Sequence, residues 1–331
     1  MKRFVIKFYA FFGIIFGLIG FYALNIKPQI SGDIGMIGKI PFGQEYDERM
    51  ESPYKDIPMK VRTKGIEDVI VDSVVTIGDS FSQFGRLGYS NFLANELQIV
   101  ITNILKEPYS PEQTFVDMLN SRLIPRGSIV LVESVERSCI ERLISVDFTN
   151  TCVVSGIKKA KEQKSNLLDE TIIWFRTNCG MKNPVQIYHT ERDLFSHPTR
   201  HNELYVYDSK WSQDGDLRFV KKLREPELER AWKNLYRLHK YAEEQGVTLL
   251  YMIAADKYDV YEPFIMEEHL KNPTLDACPD ESWIINTKPL LQARIRGGEQ
   301  DVYSINNTHW SPKGAEIVGH EAVKRLISTA K

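Results

Sequence analysis

Val69-Ile70-Val71-Asp72-Ser73-Val74-Val75-Thr76-Ile77-Gly78-Asp79-Ser80-Phe81-Ser82 is a β-branched apolar run that halts at a glycine and turns polar. A run without alternation reads as a strand buried on both faces, the usual state of strands in a parallel sheet covered by helices. Residues 88–105 then place apolar positions at helical spacing, so strand, tight turn and helix succeed one another. The rhythm returns. Pro111 opens a helical stretch through Leu123, Pro125-Arg126-Gly127 turns the chain, and Ile129-Val130-Leu131-Val132 reads as a second buried strand. From Glu225, the residues Leu228, Trp232, Leu235, Leu238 and Tyr241 make one apolar helical face that stops at Gly246, ahead of a strand over 247–253. Residues 301–305 read as the last strand and 312–327 as a closing helix. Alternating helices and short apolar strands predict an α/β fold with a mainly parallel sheet.

The flanks of this body differ from it. Lys2, Arg3 and Lys7 precede an uncharged run from Phe8 to Ile26, just long enough to cross a hydrocarbon layer of ~30 Å as a helix. Three cations before the run, with only Lys27 close behind, predict a cytoplasmic N-terminus and an exported periplasmic or extracellular body. The segment Ala23-Leu24-Asn25 fits a signal-peptidase site poorly, which favours an uncleaved anchor over residues 1–27. Residues 28–68, rich in Gly, Pro and charge, read as a linker, and 69–331 as the folded domain. Within it, residues 138–224 break the rhythm and read as an insertion that builds a substrate-facing lobe, with Trp174, Tyr188, Tyr205, Tyr207 and Trp211 as candidate sugar-stacking or core aromatics.

Composition narrows the function. The 331 residues carry 42 basic and 44 acidic side chains without a long basic block, which argues against nucleic-acid capture. Cys139, Cys152, Cys179 and Cys278 lack the paired short spacings of a zinc site; they are compatible with disulfides, Cys139 with Cys152 being the most local, or with buried thiols. His189, His197 and His201 lack tight spacing with acids, so neither a metal nor another cofactor is expected.

Two elements carry chemistry. Ser80 follows the first predicted strand, and His309, in Asn307-Thr308-His309-Trp310-Ser311-Pro312, follows the last; parallel sheets bind ligands at such carboxyl ends. A serine hydroxyl is almost wholly protonated at neutral pH and needs an adjacent base, and histidine is the usual one. Alone, Gly78-Asp79-Ser80 is a common turn and His309 a plausible packed loop histidine with Trp310 as core; together they make a nucleophile and its base. The Ser80 amide is a natural oxyanion donor, with Gly88 or residues around Ser134 as candidates for the second. Arg137 is placed to bind a substrate oxygen, Glu136 to hold Arg137, and Lys257 and Tyr261 to line the same cleft.

The sequence resembles the SGNH/GDSL hydrolase superfamily, and within it the alginate O-acetyltransferase-like group. The resemblance rests on Gly78-Asp79-Ser80-Phe81, on Val132-Glu133-Ser134-Val135-Glu136-Arg137, on Ala255-Asp256-Lys257 with Val260-Tyr261, and on Thr308-His309-Trp310-Ser311-Pro312-Lys313-Gly314-Ala315. It implies a three-layer flavodoxin-like fold, a Ser-His-Asp triad, and transfer or removal of acetyl groups on an extracellular polysaccharide. A multi-spanning membrane acyltransferase is the implied acetyl donor. Serine comes first here and histidine last, as in ordinary SGNH esterases, and no Gly-x-Asn-Asp segment follows the strand over 129–132. Asn307 stands where the family has the triad acid. An asparagine orients a histidine but brings no charge, which leaves three outcomes: Asn307 serving as the third member, another acid such as Asp301 supporting His309, or a glycan-binding subunit without activity. The expected activity is O-acetyl transfer to a cell-envelope glycan, with a glycan O-acetylesterase as the alternative.

Overall fold

The computed structural model describes residues 7–17, 32–38, 40, 42, 44–105, 110–149, 185–207 and 225–329. Among the described residues there are eight strands: β1 (Val61–Lys64), β2 (Val74–Gly78), β3 (Ile101–Leu105), β4 (Ile129–Val135), β5 (Val185–His189), β6 (Glu203–Tyr207), β7 (Thr248–Ala254) and β8 (Ile284–Asn286). Helices, in chain order, are α1 (residues 7–17), α2 (Asp33–Gly38), α3 (Gln44–Glu51), α4 (Tyr89–Glu96), α5 (Pro111–Asn120), α6 (Glu136–Ser145), α7 (Glu225–Glu244), α8 (Lys257–Tyr261), α9 (Thr287–Arg296) and α10 (Pro312–Thr329).

Six strands form one sheet in the order β1-β3-β2-β4-β7-β8, and every pairing in it is parallel. The central strands are apolar along their length because helices cover both faces: β2 is wholly buried, and β4 and β7 are buried beyond their first residue. Helix α4 packs along α10, which meets α9, on one face; α5, α6 and α7 pack together on the other. Leaving aside the edge strand β1, the order is that of a flavodoxin-like doubly wound sheet. The chain leaves β2 for β3 on one side and returns to β4 on the other, so the carboxyl ends of β2 and β4 flank the switch point where such sheets bind ligands.

Several local expectations are corrected. The stretch 88–105 is not one helix: α4 ends at Glu96, Gln98 takes a left-handed φ of 56°, and Ile101–Leu105 joins the sheet as β3. A β-branched run with a sheet edge on either side gains more from ladder bonds than from a longer amphipathic helix. Residues 301–305 form no strand; they bend at Asp301, with φ of 57°, and make only a single bridge, Tyr303 to Trp310. The last strand is instead β8, three residues long and unmarked by any extended apolar run. The linker reading of residues 28–68 gives way to structure, since α2, α3 and β1 lie in it and Ile34, Phe42 and Tyr46 are buried.

Of the insertion, α6 continues the main rhythm, and β5 and β6 form a separate antiparallel pair. Tyr205 of β6 is buried against Phe42, with ring centroids 5.1 Å apart. Trp174 and Trp211, together with Cys152 and Cys179, lie outside the described residues. Cys139 is a buried free thiol that donates to the Glu136 carbonyl, and Cys278 is also free. Among the described residues, no helix is long and apolar enough to cross a membrane; α1 is described as far as residue 17, and 18–26 lie outside the described residues.

Gly78, last residue of β2, has no room for a side chain. A Cβ there would lie 1.9 Å from Ser82 Oγ and 2.5 Å from Glu133 Oε2. Gly78→Ala is therefore expected to cost about 3 kcal/mol of stability, read from the denaturant midpoint; an unchanged midpoint would show that the turn yields freely.

Candidate active site

The site is built from three carboxyl-end segments, the turn after β2, the start of α6 after β4 and the start of α8 after β7, and from the loop before α10. Ser80 opens a short 3-10 turn over Ser80–Ser82. Its internal bonds run from Ser82 N–H to Asp79 O and from Gln83 N–H to Ser80 O. The Ser80 and Phe81 amides precede these donors and so point outward, as the first amides of any helical turn do. The Ser80 side chain is half-buried.

A buried polar layer fixes that turn from below. The Asp79 carboxylate accepts from Arg142 Nη1 at 2.7 Å and from Val135 N–H at 3.1 Å. Burial pushes its pKa up, but the Arg142 guanidinium and these hydrogen bonds outweigh that, and the carboxyl titrates below its ordinary value. Glu133, in register one residue beyond the Ile77–Val132 pair, accepts from Asp79 N–H at 3.0 Å and from Ser82 Oγ at 2.8 Å through Oε2. Burial first, and then the Asp79 charge, push the Glu133 carboxyl well above its ordinary value. Glu133 Oε1 and Asp79 Oδ1 are buried without a hydrogen-bond partner. Asn103 of β3 completes the frame, donating to Ser82 O at 3.0 Å and accepting from Thr76 Oγ1 at 2.9 Å.

His309 approaches the turn from the other side. Its ring centroid lies 4.8 Å from that of Phe81 and 5.0 Å from that of Phe84. Nδ1 is 2.7 Å from Asn307 Oδ1, which also accepts the His309 amide at 3.0 Å. An amide oxygen accepts only, so Nδ1 carries the proton and Nε2 bears the lone pair. Nε2 is buried and without a hydrogen-bond partner. No hydrogen bond joins it to Ser80; the two are neighbours through Phe81. Burial lowers the His309 pKa, Asp33 and Asp79 oppose that, Arg137 reinforces it, and the net shift is downward.

The charge near Nδ1 comes from a residue that no sequence motif singles out. Asp33, at the start of α2, accepts from Thr308 N–H at 2.8 Å and from Thr308 Oγ1, and its Oδ2 lies 3.7 Å from His309 Nδ1. Asp301, the acid considered for this role, accepts instead from Tyr46 Oη at 2.6 Å and Ser196 N–H at 2.9 Å.

The supporting residues take up different duties from those expected. Arg137 is held by Asp256, not by Glu136, in an ion pair whose partners are 13% and 5% exposed. Burial dominates the Asp256 carboxyl and pushes it up to about 6 against the pull of Arg137. Glu136 is buried below, accepting from Asp256 N–H at 2.9 Å and Asn272 Nδ2 at 2.8 Å. Lys257 lines no cleft: it is fully buried, and Nζ donates to the carbonyls of Ser304, Ile305 and Asn307 at 2.8, 2.8 and 3.2 Å. Its three N–H groups match three carbonyls of the histidine loop. Tyr261 is buried and its hydroxyl accepts from Tyr303 N–H at 3.1 Å. Trp310 packs edge-on against Phe81, with ring centroids 4.6 Å apart, and donates to Tyr303 Oη at 2.9 Å. Of the candidates for the second oxyanion donor, Gly88 spends its N–H on Gly85 O at 3.2 Å, while buried Ser134 Oγ accepts from Arg142 Nη1 at 2.9 Å.

Beside the histidine loop lies a cavity of about 250 Å³ walled by Gly32, Asp47, Met50, Glu51, Phe84, Leu87, Ser304, Asn306, Asn307, Trp310 and Pro312. A lining that combines the polar side chains of Asp47, Glu51 and Asn306 with the aromatic residues Phe84 and Trp310 suits a molecule rich in hydroxyls and C–H surface.

Lys257→Met keeps the stem but strips the donors from three carbonyls. It is expected to cost about 3 kcal/mol and to speed amide exchange across residues 304–309 in hydrogen-exchange mass spectrometry; unchanged protection there would show that Lys257 does not hold the loop.

Comparison with protein-family models, with curated proteins and with solved structures finds no match to this chain.

Proposed function

We propose that this protein is a serine-dependent acyl-transfer enzyme acting on O-acetyl groups of a glycan. The observation that carries this reading is His309: Nδ1 is engaged by Asn307, while Nε2 is buried and unpartnered in a ring that packs against Phe81, the residue after Ser80. A buried acceptor left unsatisfied is costly, and a substrate-bound serine hydroxyl is the donor it fits.

In the proposed reaction Ser80 Oγ attacks the acetyl carbonyl as Nε2 takes its proton. The tetrahedral oxyanion is met by the Ser80 and Phe81 amides, with the Arg137 guanidinium at the next strand end. Nε2 returns its proton to the departing alcohol oxygen, leaving an acetyl-serine. A second hydroxyl then attacks that ester with His309 as base: a sugar hydroxyl makes the enzyme a transferase, and water makes it an esterase. The cavity beside Asn307 is the proposed place of the sugar, and a membrane acyltransferase the proposed acetyl source. The proposed setting is the outer face of a membrane, with residues 1–27 as anchor; the exposed side chains of Phe8, Tyr9, Phe11, Ile14 and Phe16 favour an apolar surrounding for α1.

Hydrolysis of an activated acetyl ester by the full chain is expected to fall by at least about 10³-fold in Ser80→Ala. Because burial favours neutral imidazole, kcat/KM should rise with pH along an acid limb whose midpoint lies below the ordinary histidine value, then level off. A second reading follows from the missing Ser80–His309 bond: a glycan-binding subunit without turnover. Equal rates for Ser80→Ala and the unaltered chain would discard the serine mechanism and favour it.

A further inference from the structure

His309 lacks a charged neighbour at the position its sequence motif provides, yet it does not lack one in space. Asn307 gives Nδ1 a neutral acceptor at 2.7 Å. The charged groups that face the ring are Asp33 from α2, Arg137 from α6 and Asp79 from the turn after β2, while Lys257 of α8 lies behind the loop on the carbonyl of Asn307. Of the two acids, Asp79 is already paired with Arg142, whereas Asp33 has no cationic partner other than His309 among the described ion pairs.

The backbone is shaped to bring Asp33 there. Gly32 has φ of +73°, and a Cβ on it would lie 2.1 Å from the Asn306 carbonyl, so the chain passes against the histidine loop where only glycine fits. Ile34 and Gly35 donate to that same carbonyl at 3.0 and 3.2 Å. Asp33 then spans Thr308, one oxygen on its amide and one on its hydroxyl, and Thr308 Oγ1 is itself 3.4 Å from His309 Nδ1. Ile34 and Tyr46, buried on either side of this crossing, hold the segment down.

We propose that Asp33 is a positioning residue of the active site, supplying from the N-terminal segment the negative charge that stabilises the His309 imidazolium, while Asn307 fixes the ring's tautomer. The two duties that one aspartate performs in a Ser-His-Asp triad are here divided between residues at opposite ends of the chain. The inference rests on the serine mechanism for its catalytic meaning but not for its electrostatic one, and the test separates them.

The measurement is the His309 titration, followed by NMR of labelled imidazole in the full chain and assigned by loss of the signal in His309→Gln, for the unaltered protein, Asp33→Asn, Asn307→Asp and the double variant. Asp33→Asn keeps an acceptor for Thr308 and removes only the charge. It should lower the His309 pKa by about one unit and kcat/KM for an acetyl ester about tenfold. Asn307→Asp in that background should restore both. A titration unmoved by Asp33→Asn would overturn the proposal, as would a shift that Asn307→Asp leaves in place. If Ser80→Ala keeps full turnover, the serine mechanism fails, and the NMR titration still decides whether Asp33 is the charge on His309.

Discussion

The ion pair between Asp79 and Arg142 is the constraint on which the site depends. Asp79 sits directly before Ser80 at the end of a strand buried on both faces, where a lone carboxylate would be very costly. Arg142, two turns into α6, reaches back under the strand ends to meet it and also touches Ser134. This one contact ties β2, β4 and α6 together at the switch point of the sheet. Glu133 adds a second carboxyl to the same layer, and the missing side chain of Gly78 leaves room for it. The geometry of the Ser80 turn is thus set by a polar floor that solvent does not reach.

A second buried charge plays the matching part for the histidine. The Lys257 ammonium donates to carbonyls of residues 304–307, a loop with no ladder of its own. A helix or strand would satisfy those carbonyls internally, and their assignment to a lysine lets the loop depart from regular structure at the point where His309 must face inward. Arg137 with Asp256, and Glu136 beneath them, extend this framework, so that three strand ends are braced by charges of both signs.

The strand, turn and loop that carry Ser80 and His309 were legible because their cues are local: β-branched residues closing on Gly78, and Pro312 opening a helix behind His309. The parallel α/β class followed from the same cues. What escaped depended on long-range placement. Ile101–Leu105 has the apolar content of a helical face and becomes a strand only because β1 and β2 offer edges on both sides. Glu136 and Arg137 are adjacent in sequence, which suggested a pair, yet neighbours at a helix start point in different directions and find Asn272 and Asp256 instead. Lys257 and Tyr261 were rightly attached to the histidine region but wrongly exposed, since spacing along a chain does not reveal burial. Asp33 had no signal at all: it lies among glycines and charges that resemble a linker.

The crossing of Gly32 over the Asn306 carbonyl also has a consequence for how the molecule comes into being. Asp33 and Thr308 are 275 positions apart, so one partner leaves the ribosome long before the other. The sheet can assemble strand by strand as the chain emerges, whereas the segment around Asp33 must wait for a docking surface that does not yet exist. Chains that stop short of residue 304 would therefore own the Ser80 turn without the loop that carries His309, and the two come together only after that loop has been made.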